Sequence, residues 1–267
     1  MRPTTPLLRL VFQVFAALAL IAGGLLFIGA TRTDAWFSWT IEPPLTAATL
    51  GAFYWAAFVL ILTAARSESW AEARPAVYPV ALIAVLLLIV TLVHLDRFDL
   101  DSLFGVFWLT TYVLVPPLLA WAIVDELRRP GDVPRRTRRL PGAVRATLVV
   151  EGLAMLAAGA LLLIAPGAAE DVWPWALSPL TSRAIGSFMV GIGLAALIAA
   201  RDDDPVNFRG AALAYIALGL LELIALLVHR SDLGDSGLAT AVYVAFWSVV
   251  TLTGAYGLSA AIASSRS

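Results

Sequence analysis

Two carboxylates of this chain lie within long apolar runs, where ionisable side chains are rare. Glu222 is the central residue of LLELI, and Glu151 is the central residue of VVEGL. An acid inside a membrane span costs on the order of a few kcal/mol, so it is expected to face the bundle interior and to handle a proton, a cation or a polar ligand group. The alternative is a packed acid bonded to a neighbouring helix. Glu151 has the further alternative of reaching the interface or pairing with Arg145.

The only two histidines are the second group of residues suited to chemistry. His94 and His229 each follow Leu-Val at the end of an apolar run, and acidic residues follow both. Two imidazoles at equivalent positions suit a shared metal, haem ligation, or a pH-responsive or substrate-binding site. The simpler alternative is a residue that suits a helix C-terminus. Glu222 precedes His229 by two helical turns, which places both on one face about 10 Å apart.

The spacing of the histidines is the period of a longer internal repeat. Pro44-Leu45-Thr46 recurs 135 residues later as Pro179-Leu180-Thr181, and Leu92-Val93-His94 recurs as Leu227-Val228-His229. The register runs from residue 22 to residue 94, with a single one-residue shift. Agreement over so long a register indicates two copies of one unit. Neither Glu222 nor Glu151 has an acidic counterpart in the other copy.

The composition places most of the chain in lipid. Hydrophobic residues make up 60% of the chain, charged residues 14%, and the mean hydropathy is +0.87, whereas a soluble domain has about a quarter charged residues. Runs of roughly 20 apolar residues match the thickness of the hydrocarbon layer. Eight such runs are predicted as helices, at approximately 8–30, 46–65, 76–95, 103–125, 144–166, 181–200, 209–229 and 237–263.

These runs predict an all-α integral membrane protein with eight transmembrane helices in two tandem four-helix repeats. The repeats are residues 1–126 and 144–267, joined by an Arg- and Pro-rich linker at 127–143. An even number of spans in each copy gives both the same orientation. The copies are therefore expected to be parallel and related by a pseudo-twofold axis along the membrane normal.

The arginines predict the orientation. All 18 basic residues are Arg, and 14 of them lie at the termini or in the loops on the same side of the predicted spans. Because basic residues mark cytoplasmic loops, both termini are expected in the cytoplasm of a bacterial cell, with the chain multi-pass in its cytoplasmic (inner) membrane. The basic segment 126–145 is either a topology signal or a contact for anionic lipid head groups. It has no aromatic residues of the kind expected in a nucleic-acid site.

Several function classes are excluded or disfavoured. The chain has no cysteine, so thiolate metal sites and thiol catalysis are excluded, and no signature for phosphate loops, zinc proteases or serine hydrolases occurs. A catalytic role is disfavoured, and no metal is predicted. The leading hypothesis is transport or binding of a small ligand or ion in a polar cavity between the repeats, with Glu222 and His229 as the ionisable groups. The alternatives are a haem- or quinone-binding redox protein and a non-catalytic scaffold that binds another membrane protein.

Overall fold

The computed structural model describes residues 3–129, 138–170 and 172–265 and is all-helical apart from one isolated bridge between Pro3 and Ser69. Within these residues, eight helices of 22 to 29 residues carry the fold. They are α1 Pro6–Phe27, α2 Pro44–Arg66, α3 Trp70–Val93, α4 Leu103–Leu127, α5 Gly142–Ile164, α6 Pro179–Asp202, α7 Pro205–Val228 and α8 Gly237–Ser265.

The eight predicted helices are confirmed, and all are long and apolar enough to cross a membrane, so the structure is compatible with the predicted polytopic membrane protein. The largest difference from prediction is at the third helix, which begins at Trp70 rather than near residue 76 and contains Pro75 and Pro79 near its start. Residues 130–137 of the predicted linker 127–143 lie outside the described residues.

The sequence marks where the helices begin. A side-chain oxygen caps the first turn of four of them, as Thr5, Ser102, Ser178 and Asp204 accept hydrogen bonds from backbone N–H groups two or three residues on. Three of these caps are followed by a proline in the first turn, where its missing N–H costs nothing. The first turn of α2 uses a distant residue instead: Leu45 N donates to the Asp232 carboxylate at 2.9 Å.

The bundle has two ends, which we name by their residues. The histidine end carries the segments 28–43, 94–102, 165–170, 172–178 and 229–236, and the arginine end carries the described residues of the opposite segments, 3–5, 67–69, 128–129, 138–141 and 203–204. Helices α2 and α6 are central, with 78% and 72% of their apolar windows buried, whereas α4 and α8 are peripheral at 28% each. The core therefore forms around α2 and α6.

Contacts within and between the halves fix this arrangement. Helix α1 packs on α2, α5 on α6, and α7 on α8, while α2 contacts α7 and α3 contacts α6 across the halves. At the arginine end, Arg74 on α3 donates to both carboxylate oxygens of Asp202 on α6, at 2.9 and 3.0 Å. One guanidinium nitrogen thus contacts both oxygens, and this charge-assisted contact ties one half to the other.

Facing glycines bring α5 and α6 into backbone contact. A Cβ atom built on Gly159 would lie 2.8 Å from the Gly186 carbonyl oxygen, and one built on Gly186 would lie 2.7 Å from the Gly159 oxygen. Gly152 and Gly193 form a second such pair, two helical turns along. Small residues of this kind let membrane helices approach closely, which increases van der Waals packing where lipid supplies no hydrophobic driving force.

We expect Gly186→Val to separate α5 from α6 and to destabilise the protein by about 1–3 kcal/mol, the usual cost of overpacking. Gly24→Val is the matched control, because Gly24 is also helical but has no atom within 4 Å of a built Cβ. Thermal unfolding in detergent measures both. Equal losses in the two variants would mean that valine acts through helix propensity rather than through the α5–α6 contact.

Candidate ligand site between the two halves

Glu222 is fully buried in α7, and only one of its two carboxylate oxygens accepts a hydrogen bond. Its Oε2 atom accepts a hydrogen bond of 2.7 Å from the Tyr243 hydroxyl on α8, whereas its Oε1 atom has no partner among the described residues. The residue therefore faces the bundle interior rather than lipid. A buried polar atom without a partner is costly, so the free oxygen is the atom available to a ligand or ion.

Other polar groups surround this carboxylate. Thr49 on α2 lies beside Glu222 and Tyr243, and Trp247 lies one turn from Tyr243 on α8. The Thr49 hydroxyl and the Trp247 N–H are both buried and have no partner among the described residues. We call these four residues, Glu222, Tyr243, Thr49 and Trp247, the Glu222 cluster. It combines one acidic acceptor with two further donors beside it, and it draws on helices of both halves.

Aromatic side chains close the Glu222 cluster at the histidine end. The rings of Trp173 and Trp175 lie 5.6 and 5.2 Å from the ring of Tyr243. Trp175 is buried, and its N–H donates to the Thr46 hydroxyl at 2.9 Å. Trp39 is also buried. Trp39 and Trp175 therefore pack inside the bundle together with their loop segments, whereas loop tryptophans of membrane proteins commonly lie exposed in an interfacial belt. Trp36 remains exposed.

Glu151 on α5 has a similar setting near the arginine end. Its Oε1 atom accepts a hydrogen bond of 2.8 Å from Thr253 on α8, while its Oε2 atom and the nearby Tyr215 hydroxyl on α7 have no partner among the described residues. The suggested pair with Arg145 is wrong, because the Arg145 Nε atom donates instead to the Ala200 carbonyl. Both buried acids are thus bonded to α8.

The two histidines have different surroundings. His94 lies just after α3, and its Nε2 atom is 2.7 Å from an NH group of Arg183 on α6, whose Nε atom donates to the Leu163 carbonyl. Partial burial, and then the Arg183 charge, lower the pKa of His94, while Asp96 opposes this shift. The neutral ring therefore accepts from Arg183 through Nε2 and carries its proton on Nδ1.

His229 ends α7 and is half-buried, and no hydrogen bond reaches its ring from the described residues. The position equivalent to Arg183 in the first copy is Ala48, so His229 has no matching arginine. Because Arg183 engages one of the two ring nitrogens of His94, the geometry gives no support to a shared metal or haem between the histidines. That hypothesis remains a prediction from the sequence.

Two polar clefts lie between the halves, one at each end of the bundle. The histidine-end cleft has a volume of about 370 Å³ and is lined by Trp39, Thr40, His94, Arg97, Ser178, Pro179 and Leu180. The arginine-end cleft has a volume of about 380 Å³ and lies between α2, α3 and α7; its polar lining is Thr63, Arg66, Ser67, Glu72, Asn207 and Arg209. A third cavity of about 110 Å³ lies between helices of the first half and Phe188 of α6, and it is almost entirely apolar.

The fold and this site define a polytopic helical membrane protein with a buried acid cluster between its halves. Comparison with known proteins adds no family: no family model, no curated protein and no solved structure matches this chain.

The sequence pointed to the acids but not to their partners. Tyr243, Thr253 and Thr49 belong to apolar runs that contain several other hydroxyl residues, so nothing in the sequence distinguishes them. Glu126 was missed for another reason, since it lies at the end of its span and looks like an interfacial charge. It is in fact fully buried and accepts a hydrogen bond from the Thr5 backbone N–H at 3.0 Å, which joins α4 to the start of α1.

Tyr243→Phe removes the donor to Glu222 and leaves a second carboxylate oxygen buried without a partner. We expect this change to reduce the free energy of unfolding by about 1–3 kcal/mol. Tyr256→Phe is the matched control on the same helix, because Tyr256 is exposed. If thermal unfolding in detergent shows the same stability for both variants, the hydrogen bond to Glu222 contributes nothing to the fold.

Proposed function

We propose that this protein is a small transport protein of the bacterial cytoplasmic membrane that moves a proton or small cation along the contact between α2 and α7. The Glu222 cluster is its central site. The observation that carries the proposal is a fully buried carboxylate with a free oxygen, placed where helices of the two halves meet. Ionisable residues in such positions mark ion pathways and proton relays.

The surroundings of the cluster support a pathway rather than a simple packing site. The arginine-end cleft opens onto the same α2–α7 contact, at Thr63 and Gly210. Thr49 and Thr63 are 14 residues apart on α2, about 21 Å along the axis. Between them lie the buried side chains of Phe53 and Leu60, and Leu60 lines a small apolar cavity together with Leu218 of α7. This apolar layer separates the cleft from the Glu222 cluster.

The opposite side of the cluster is closed. Trp173 and Trp175 cover Tyr243, and the hydrogen bond from Leu45 N to Asp232 joins α2 to the end of α7. Alternating access needs a central acid, a vestibule on one side of it and a closed gate on the other side. Transporters built from repeats place their ion sites at the interface between repeats, which is the position of Glu222 in this proposal.

Equivalent contacts in the two halves support the proposed pseudo-twofold relation between parallel repeats. Trp108 and Tyr112 on α4 occupy the positions of Tyr243 and Trp247 on α8, so the same pair of ring types recurs in reversed order. In each half the first ring of the pair packs on a buried loop tryptophan. Trp39 lies 4.9 Å from Trp108, and Trp175 lies 5.2 Å from Tyr243, between ring centroids.

Helix contacts repeat in the same way. The α1–α2 contact corresponds to α5–α6, α3–α4 corresponds to α7–α8, and the crossing contact α2–α7 corresponds to α6–α3. These correspondences are the ones expected for the proposed axis along the membrane normal, which keeps both copies in one orientation. The excess of arginine at one end supports an arrangement with that end in the cytoplasm.

Single-cysteine labelling tests the proposed orientation, and the chain suits it because it has no cysteine of its own. Asp235→Cys lies at the histidine end and should react with a membrane-impermeant maleimide added to intact cells. Glu68→Cys lies at the arginine end and should react only after the membrane is permeabilised. Both positions are exposed. The reverse pattern would place the arginine end outside and contradict the proposed topology.

Flux measurements in proteoliposomes test the proposed function. Entrapped pyranine reports proton movement, and ²²Na⁺ exchange reports movement of a small cation without a need for a co-substrate. We expect the wild-type protein to catalyse at least one of these fluxes, and Glu222→Gln to reduce that flux at least 10-fold, because the amide keeps the shape and removes the charge. Glu68→Gln, which changes an exposed acid at the arginine end, is the control and should retain the flux.

Two results would contradict the proposal. Wild-type fluxes no faster than those of empty liposomes would exclude proton and small-cation transport. A flux that persists unchanged in Glu222→Gln would leave transport possible but remove Glu222 from it.

A further inference from the structure

We propose that the histidine-end cleft is a binding site for a tetrahedral oxyanion such as phosphate. His94 and Arg97 line this cleft, and Arg183 near the beginning of α6 lies beside it, 2.7 Å from the His94 ring. This inference goes beyond cation movement and does not depend on Glu222, which lies on a different helix contact. It concerns the place where α3 of the first half meets α6 of the second.

At the equivalent position in the other half of the molecule, a carboxylate of the protein itself is already bound. There, the beginning of α2 meets the turn that follows α7, and the Asp232 carboxylate accepts the hydrogen bond from Leu45 N at 2.9 Å. Under the 135-residue register, Leu45 corresponds to Leu180 and Asp232 corresponds to Arg97. Both Leu180 and Arg97 line the cleft. The position that carries the anion Asp232 in one copy thus carries the cation Arg97 in the other.

Positive charge at this cleft lacks a buried counter-ion. Arg183 is half-buried and contacts the Leu163 carbonyl and the neutral ring of His94. No carboxylate of the described residues pairs with Arg183. The carboxylate recorded beside Arg97 is that of Asp96, at 3.4 Å, and both of these side chains are more than 70% exposed. An exposed pair of this kind contributes little, so the cleft keeps a net positive character.

The donors of the cleft suit an oxyanion. A guanidinium offers paired N–H groups to phosphate oxygens, and α6 is a 24-residue helix whose N-terminus favours negative charge. Trp39 also lines the cleft, and its buried indole N–H has no partner among the described residues. A volume of about 370 Å³ admits a phosphate group together with part of a larger molecule or a lipid head group.

Calorimetric titration of the purified full-length protein with inorganic phosphate and with sulfate tests the site. We expect saturable binding that weakens at least 10-fold in Arg183→Gln. Arg97→Asp is the sharper variant, because it supplies the carboxylate that Asp232 supplies in the other half. It should abolish binding and raise the melting temperature. Arg32→Gln removes a cation at the same end that stacks on Trp36, outside the cleft, and should bind as the wild type does.

The histidines give a second, matched pair of variants. Sulfate keeps its charge between pH 5 and 8, so any change in its affinity reports on the protein. The groups facing His94 are Arg183 from α6 and Asp96 and Arg97 from its own turn. Because the pKa of His94 is lowered, the ring is neutral at pH 7.5, and acidification adds a positive charge. Sulfate binding should therefore strengthen as the pH falls. His94→Gln should remove this dependence, and His229→Gln should retain it.

Nanodiscs distinguish the source of the oxyanion. Weaker phosphate binding in phosphatidylglycerol discs than in phosphatidylcholine discs would identify an anionic lipid head group as the competing occupant, whereas equal binding would favour a free anion. Either result is consistent with the site. The proposal is overturned if the wild type binds neither phosphate nor sulfate and shows no lipid preference, or if Arg32→Gln weakens binding as much as Arg183→Gln does.

Discussion

Hydrocarbon offers no hydrogen-bond partners, and the partners of the buried acids in the eight helices follow from this constraint. Each buried acid in the described spans has found a donor on another helix: Glu222 on α8, Glu151 on α8, and Glu126 at the beginning of α1. In water these hydrogen bonds would compete with solvent, but within lipid the alternative is a polar group without a partner. The bundle is therefore joined by a few polar contacts embedded in apolar packing.

Much of the architecture was predictable because the signal was strong and local. Runs of about 20 apolar residues specify spans whatever their neighbours are, so all eight helices were found. Positions that depend on contacts between distant residues were not predictable. Trp39 and Trp175 look like interfacial residues in the sequence, and only the folding of their loops against Trp108 and Tyr243 buries them.

The same distinction applies to the candidate sites. An acid within an apolar run is visible in the sequence because its desolvation is costly. The hydroxyl and indole groups around Glu222 carry no such signal, since tyrosine, threonine and tryptophan are ordinary residues in a span. In the sequence, Arg183 is one of the few arginines outside the basic side of the chain and bears only on the predicted orientation. Its contact with His94 spans 89 residues of sequence and has no counterpart in the first copy, where Ala48 stands.

The first two helices of each half approach each other at glycines. Helices α5 and α6 touch through backbone atoms at Gly159 and Gly186, and Gly51 of α2 meets the Phe27 backbone of α1 in a similar way. A contact between backbone atoms cannot yield without separating the helices. The pairs α1–α2 and α5–α6 are therefore expected to move as rigid bodies, so that any rearrangement of the bundle falls on the contacts between these pairs and their neighbours.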